Sequence, residues 1–311
     1  MEAQTAASVL MVRPAAFGAN PQTQESNRFQ TGAVPDPGRE VRAAVDREFD
    51  ALAQALERAG VEVCIVADTP APPRPDAVFP NNWFSTHADG TLVLYPMLAT
   101  NRRTERRTEV LEALTRTHRF RVSRTVDLTA HEHDGVFLEG TGSLVLDRSH
   151  RLAYACLSAR THVEALGDFA QQLDYEIVGF EAVDAGGAAI YHTNVLMCVG
   201  SRFAVLCPAS IADAQRRAAV VRILENSAHA LIEITHAQMS AFAGNVLELR
   251  NARGETVIAM SSAAHEAFGP GLRARLETFG TIVHAPIPTI ERYGGGSVRC
   301  MLAEIHLPRR A

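Results

Sequence analysis

Residues Ser143–Phe180 read SLVLDRSHRLAYACLSARTHVEALGDFAQQLDYEIVGF, and their pattern decides the fold. Ser143-Leu144-Val145-Leu146 turns at Asp147 to His150 into Leu152-Ala153-Tyr154-Ala155-Cys156, which predicts a hairpin. A helix over 162–173 and a third strand over 176–180 complete a unit of strand, strand, helix, strand. The unit recurs in both directions. Upstream, Trp83-Phe84-Ser85-Thr86 turns at Asp89-Gly90 into Thr91–Tyr95, ahead of a charged helix over 102–118 and a strand near 120–128. Downstream, 195–198 pairs with 203–206 before a helix over 212–226 and a strand over 230–234. Next, 246–249 pairs with 256–259 before a helix over 263–279 and a strand over 281–284. The ends hold a strand over 9–12, a helix over 40–59 stopped by Gly60, a strand over 61–66, and a last strand over 298–305. In the first helix Val41, Val45, Phe49, Leu52 and Leu56 recur at spacings of three and four. Joining the two termini completes a fifth unit.

A unit of about 50 to 60 residues with one exposed apolar face has to bury it against its neighbours. The expectation is therefore an α/β fold: one domain over 1–311, a closed five-bladed α/β propeller of ββαβ modules around a central channel, with helices outside. A two-lobed α/β domain is the competing arrangement. Composition agrees with a packed soluble chain: 311 residues, 47% hydrophobic, 21% charged, with a net charge of −5. The acidic balance, without a basic block, argues against nucleic acid or an anionic membrane surface as partner. No apolar run approaches the roughly 18 to 20 residues of a membrane span, and the N-terminus lacks the basic region of a signal peptide, so the expected location is the cytoplasm. The five cysteines lack a CxxC spacing and suit a reducing compartment. A homo-oligomer is left open.

Equivalent positions in a ring of repeats converge at one mouth of the channel. Immediately before the inner strands stand Asn81-Asn82, Glu139-Gly140-Thr141-Gly142, His192-Thr193-Asn194, Gly244-Asn245, and Gly294-Gly295-Gly296 leading to Cys300. This gathers amides, a carboxylate, an imidazole and a thiol, the groups that nucleophilic catalysis needs. Cys64, Cys156, Cys198 and Cys207 lie in apolar strands and read as core. His131-Glu132-His133-Asp134 has metal-ligand residue types but no further ligand cluster, so it reads as a polar loop at the channel mouth. The stretch from Pro14 to Gly38 is long for a loop and has the composition of a lid.

Gly294-Gly295-Gly296-Ser297-Val298-Arg299-Cys300-Met301 resembles the Gly-rich turn and nucleophilic Cys of the guanidino-group-modifying enzymes, the pentein superfamily. Leu138-Glu139-Gly140-Thr141-Gly142 resembles their catalytic Glu segment, and Tyr191-His192-Thr193-Asn194 their catalytic His segment. Asp76 to Asn82 is similar to an Asp-x-x-Phe-x-x-Asp segment of the dimethylarginine hydrolases, while Arg102 and Arg160 match arginines that bind the substrate carboxylate. The run Phe79 to His87 is most like the citrulline-hydrolysing branch. The resemblance implies a cofactor-free, cysteine-dependent hydrolase of a small amino acid bearing a ureido or guanidino group, with no metal. Citrulline is favoured over arginine because relatives that bind a guanidinium usually carry carboxylates where this chain has Asn82 and, in the deiminases, Asn194. By the same resemblance Cys300 is the nucleophile, His192 the proton carrier and Glu139 its partner. Asp76 would take the α-ammonium and Arg102 with Arg160 the α-carboxylate, while Asn81, Asn82 and Asn194 complete the pocket. An arginine deiminase, a dimethylarginine dimethylaminohydrolase, an amidinotransferase and an inactive amino-acid-binding propeller stay open.

Overall fold

The computed structural model describes residues 2–31 and 38–310. Near the N-terminus β1 (Ser8–Arg13) pairs parallel with β2 (Glu62–Ala67). The next sheet is β3 (Phe84–Thr86), β4 (Thr91–Leu94) and β5 (Arg124–Asp127), followed by β6 (Leu144–Asp147), β7 (Leu152–Cys156) and β8 (Glu176–Phe180). Then come β9 (Met197–Val199), β10 (Phe203–Leu206) and β11 (Ala230–Glu233), and β12 (Leu247–Arg250), β13 (Thr256–Ser261) and β14 (Thr281–Ala285). Finally β15 (Ala303–Ile305) returns to lie antiparallel to β1, with Ser8 opposite Ile305. The first sheet is thus built from both ends of the chain, which is the expected closure.

In each sheet the middle strand runs antiparallel to the inner strand and parallel to the outer one. The parallel pairing requires a crossover, and the intervening segment supplies it, mostly as a helix laid on the sheet. The helix Gly38–Arg58 shows why: Val45, Phe49, Leu52, Ala53 and Leu56 form one buried stripe against the first sheet and β14. The inner strands adjoin one another around the axis, β3 touching β15 and β9 touching both β6 and β12. Five three-stranded sheets with outer helices are the five expected modules. Among the described residues no helix is long and apolar enough to cross a membrane. Cys64, Cys156, Cys198 and Cys207 are buried as expected, and burial pushes the first three thiols up to about 12.

Three segments depart from expectation. The charged helix over 102–118 is broken into a 3-10 turn Arg102–Glu105, a short helix Thr108–Glu112 and a π turn Ala113–Thr117. Its charges are drawn to tertiary partners: Arg102 and Glu105 inward, Arg106 to Glu132 and Arg107 to Asp68. The helix Ser262–Glu277 is interrupted at Gly269 (φ 65°), because Pro270 disfavours a helical residue before it. The last strand begins only at Ala303; Val298–Met301, with Cys300, is a single helical turn. Comparable turns at Pro80–Asn82, Gly140–Ser143 and Thr193–Leu196 precede three of the other four inner strands, β3, β6 and β9, and gather polar side chains at the mouth, where an extended strand would alternate them.

Candidate active site

Those turns place the chemistry. A narrow cleft, with about 20 Å³ of space, is lined by Asp76, Phe79, Asn82, Arg102, Arg160, Tyr191, His192, Gly294–Gly296 and Cys300, together with Thr23 and Asn27. Gly295 (φ 64°) ends the helix Pro288–Gly294 in the left-handed region, and a Cβ there would lie 2.6 Å from the backbone nitrogen of Gln30. Ser297 then anchors the turn: its hydroxyl donates to Glu291 at 2.7 Å, and its carbonyl accepts from the Cys300 N–H at 2.9 Å.

Behind the lining, Glu139 is fully buried and organises the site. Its Oε2 lies 2.8 Å from His192 Nε2, 3.3 Å from Arg160 Nη1 and 4.0 Å from Arg102 Nη1, while Oε1 accepts from the Leu98 N–H at 3.1 Å. Burial pushes this carboxyl up, but Arg160, His192 and Arg102 together outweigh it and hold the group well below the usual carboxylate range. Burial pushes the His192 imidazole down to about 4, against the pull of Glu139. A neutral imidazole beside an ionised carboxylate carries its proton on Nε2, so Nδ1 is the free base.

Between pH 6.5 and 4 the unfolded chain therefore takes up a proton that native His192 does not. The contribution of His192 to stability is expected to fall as pH drops through this window, by up to about 1.4 kcal/mol per pH unit, and to level off below it, while Glu105, whose carboxyl burial pushes up to about 7, acts in the opposite sense. Glu139 adds its own loss only below about pH 4.3, where the unfolded carboxylate protonates. Urea denaturation from pH 7 to 4 checks this, with a shallower slope expected for His192→Gln.

Arg102 is held by Glu105, with Nε and Nη2 each 2.9 Å from a carboxylate oxygen; Nη2 also reaches the Phe79 carbonyl at 3.2 Å. Its Nη1 donates to Asn82 Oδ1 at 2.8 Å. Burial pushes the Glu105 carboxyl up to about 7; Arg102 pulls it down, while Asp76 and Glu139 add to the rise. Since a guanidinium can only donate, it must face the amide oxygen of Asn82. Asn82 Nδ2 is left buried and without a partner. Asp76 likewise keeps Oδ1 unpartnered, its Oδ2 accepting from Asn20 at 2.7 Å.

Gly142 lets these groups approach. A Cβ there would lie 2.7 Å from His192 Nδ1 and closer still to Asn82 Nδ2, nearer than side chains tolerate. Gly142→Ala is expected to lose roughly a hundredfold in turnover through displacement of the imidazole and amide, with the fold retained. Steady-state kinetics beside a thermal melt would check it.

The segment suspected of being a lid falls partly outside the described residues, namely 32–37. Its described part packs across the cleft. Arg160 donates to Ser26 Oγ through Nε at 3.1 Å and Nη2 at 2.7 Å, and to the Thr23 carbonyl at 3.2 Å. Asn27 Nδ2 donates to the Gly294 carbonyl at 3.3 Å, and Gln22 Oε1 accepts from Thr100 and Asn101, each at 3.0 Å.

Of the expected residues, Cys300, His192, Asp76, Asn82, Arg102 and Arg160 come together in the lining. Glu139 stands directly behind them, and Asn194 reaches the Cys300 sulfur at 3.6 Å. Asn81 lies outside the lining; its amide has no partner, and its carbonyl accepts from Thr141 at 3.3 Å. His131 sits 3.1 Å from Asp168, and Glu132 pairs with Arg106. Among the described residues neither histidine belongs to a group spaced to hold a metal ion. Sequence reasoning missed Glu105, whose three-residue spacing from Arg102 is that of an ordinary solvated helix pair. It also gave no role to Asn245, Thr23, Ser26 or Asn27.

The sequence profile of the family described as N,N dimethylarginine dimethylhydrolase, eukaryotic, matches residues 13–307. The chain belongs to this family. No curated protein matches this dimethylhydrolase family member by sequence. Its fold is similar to the N-terminal domain of ArgZ, solved as a variant covalently bonded to a reaction intermediate (TM-score 0.73, 19% identity, covering 97% of this chain and 99% of that one). The apo structure of ArgZ, an arginine dihydrolase from the ornithine-ammonia cycle in Cyanobacteria, is also similar (TM-score 0.74, 18% identity, 97% of this chain). This chain covers 41% of that protein's length. A dimethylarginine dimethylaminohydrolase adduct with S-methyl-L-thiocitrulline gives a TM-score of 0.65 at 14% identity, covering 97% of this chain and 99% of that one. Identities this low speak to the shared fold alone.

Proposed function

We propose that this member of the dimethylhydrolase family hydrolyses citrulline to ornithine, CO2 and ammonia, with residues 1–311 acting as one catalytic domain. The observation that carries the reading is the Asn82 amide. Arg102 fixes its oxygen, so the group it can offer a substrate is an N–H donor, which a ureido oxygen accepts and a guanidinium cannot. Cys300 attacks the ureido carbon, and charge develops on an oxygen that Asn82 Nδ2 stabilises. His192 Nδ1 takes up the thiol proton and delivers it to the departing ornithine nitrogen as the C–N bond breaks. Water, deprotonated by the same nitrogen, then cleaves the carbamoyl thioester to carbamate, which decomposes. Glu139 holds the imidazole in the required tautomer. Asp76 Oδ1 awaits the α-ammonium, and Arg160 takes the α-carboxylate in exchange for Ser26 and Thr23. Arg102, first read as a carboxylate binder, has most of its N–H groups spent on Glu105, Phe79 and Asn82, and here it orients the amide.

One observation favours arginine as a second reading. The site holds three carboxylates, Asp76, Glu105 and Glu139, against two guanidinium groups, Arg102 and Arg160, an excess that a cationic head group would balance. Incubation with citrulline, arginine and dimethylarginine separately distinguishes the readings. Citrulline hydrolysis yields one ammonia per ornithine; conversion of arginine to ornithine yields two. Citrulline accumulating from arginine or dimethylarginine, with no ornithine, would overturn the proposal.

A further inference from the structure

Cys300 has a neighbour to which the mechanism above gives no task. Asn245 precedes β12 and is buried. Its Nδ2 donates to the Asn194 carbonyl at 2.9 Å and reaches Cys300 Sγ at 3.3 Å, while its Oδ1 stands 3.7 Å from the same sulfur. Asn194 repeats the arrangement: its Nδ2 donates to the Thr141 carbonyl at 3.2 Å and faces the sulfur at 3.6 Å. A carbonyl only accepts, so each amide has its nitrogen fixed in place, with one hydrogen on a backbone oxygen and the other free for sulfur. Gly244 makes the convergence possible. A Cβ there would lie 2.8 Å from the Leu196 carbonyl carbon, so the turn carrying Asn245 presses on the turn carrying Asn194. Among the described residues these two amides are the side chains that hydrogen-bond Sγ.

We propose that Asn245 is a further catalytic residue, whose amide N–H stabilises the thiolate of Cys300 before substrate arrives. A thiol donates and a thiolate only accepts. Asn245 meets both states, with Oδ1 near the S–H and Nδ2 on the charged sulfur, and the N–H bond to a charged acceptor is the stronger. The inference rests on Cys300 being the nucleophile, but not on which head group it attacks.

The test reads the sulfur without substrate. Iodoacetamide alkylation of Cys300 is followed by peptide mass mapping from pH 5 to 10 in the wild type, Asn245→Ala and Asn245→Asp. The alkylation midpoint is expected to move up by about one to two pH units in the alanine variant, since a charge-assisted bond is lost, and at least as far in the aspartate variant. The high-pH plateau rate stays unchanged. If the alanine variant does not fold, the aspartate variant, of nearly equal size and shape, decides. An unchanged midpoint in a variant with wild-type circular dichroism overturns the inference, as does a change confined to the plateau, which would report access. A shifted midpoint in an enzyme that leaves citrulline untouched upholds the role of Asn245 and removes the substrate assignment alone.

Discussion

Cys300→Ser is expected to lose at least about a thousandfold in turnover, because a hydroxyl at neutral pH is a far weaker nucleophile than a thiol and needs a stronger base. The surroundings make the substitution diagnostic. His192 is a weak base, with its imidazole pushed down to about 4 by burial, which suits a thiol and not an alcohol. Asn194 and Asn245 hold the sulfur with neutral amides. The serine side chain is smaller than the one it replaces, and Cys300 sits on a turn anchored by Ser297, so folding is expected to survive. Mass spectrometry during citrulline turnover adds an independent reading: the wild type is expected to accumulate a carbamoyl adduct on Cys300 after rapid quenching, and the variant none. A serine variant within tenfold of wild-type turnover would end the covalent mechanism.

The ring was legible because its evidence is periodic. Hairpin, helix and strand recur with an apolar pattern that only neighbouring modules can bury, and the unpaired strands at 9–12 and 298–305 left one way to close it. Glu139, His192 and Cys300 were legible because equivalent places in a repeat meet at one mouth, whatever their separation in sequence. Other features resisted for physical reasons. The broken helix after Asn101 follows from buried contacts of Arg102, Arg106 and Arg107, which no local propensity encodes. Glu105 was hidden because a carboxylate three residues after an arginine ordinarily signals a solvated pair. The contribution of residues 20–27 depends on a loop crossing to Arg160, 134 positions from Ser26 in the chain. Asn81 and Asn82 look equivalent as neighbours, yet the turn at Pro80–Asn82 points them differently, so one lines the cleft and the other does not.

On the proposed reading the choice of head group turns on Asn82, and Asn82→Asp is expected to reverse it. Arg102 would keep its partner, since a carboxylate oxygen accepts from Nη1 as the amide oxygen does. The change falls on the other atom, where a donor becomes a negatively charged acceptor. Citrulline loses the group that meets its developing oxyanion, and removal of one such donor costs roughly a hundredfold to a thousandfold in kcat. A guanidinium gains a charge-assisted partner worth roughly 1.5 to 3 kcal/mol, about tenfold to a hundredfold in affinity. Catalysis on arginine need not rise equally, because the departing nitrogen must also meet the imidazole. The measurements are kcat/KM for citrulline and the inhibition constant of arginine, in wild type and variant. If the excess negative charge of the site governs selection, the wild type already prefers arginine, and Asn82→Asp strengthens arginine binding without a selective loss on citrulline. If the fixed amide governs it, kcat/KM for citrulline and the inhibition constant of arginine both fall, so that citrulline turnover and arginine affinity diverge by a combined factor of about a thousand or more. Loss of citrulline turnover together with an equal loss of arginine affinity would show that Asn82 does not read head-group charge, and the case for citrulline would lose its main physical support.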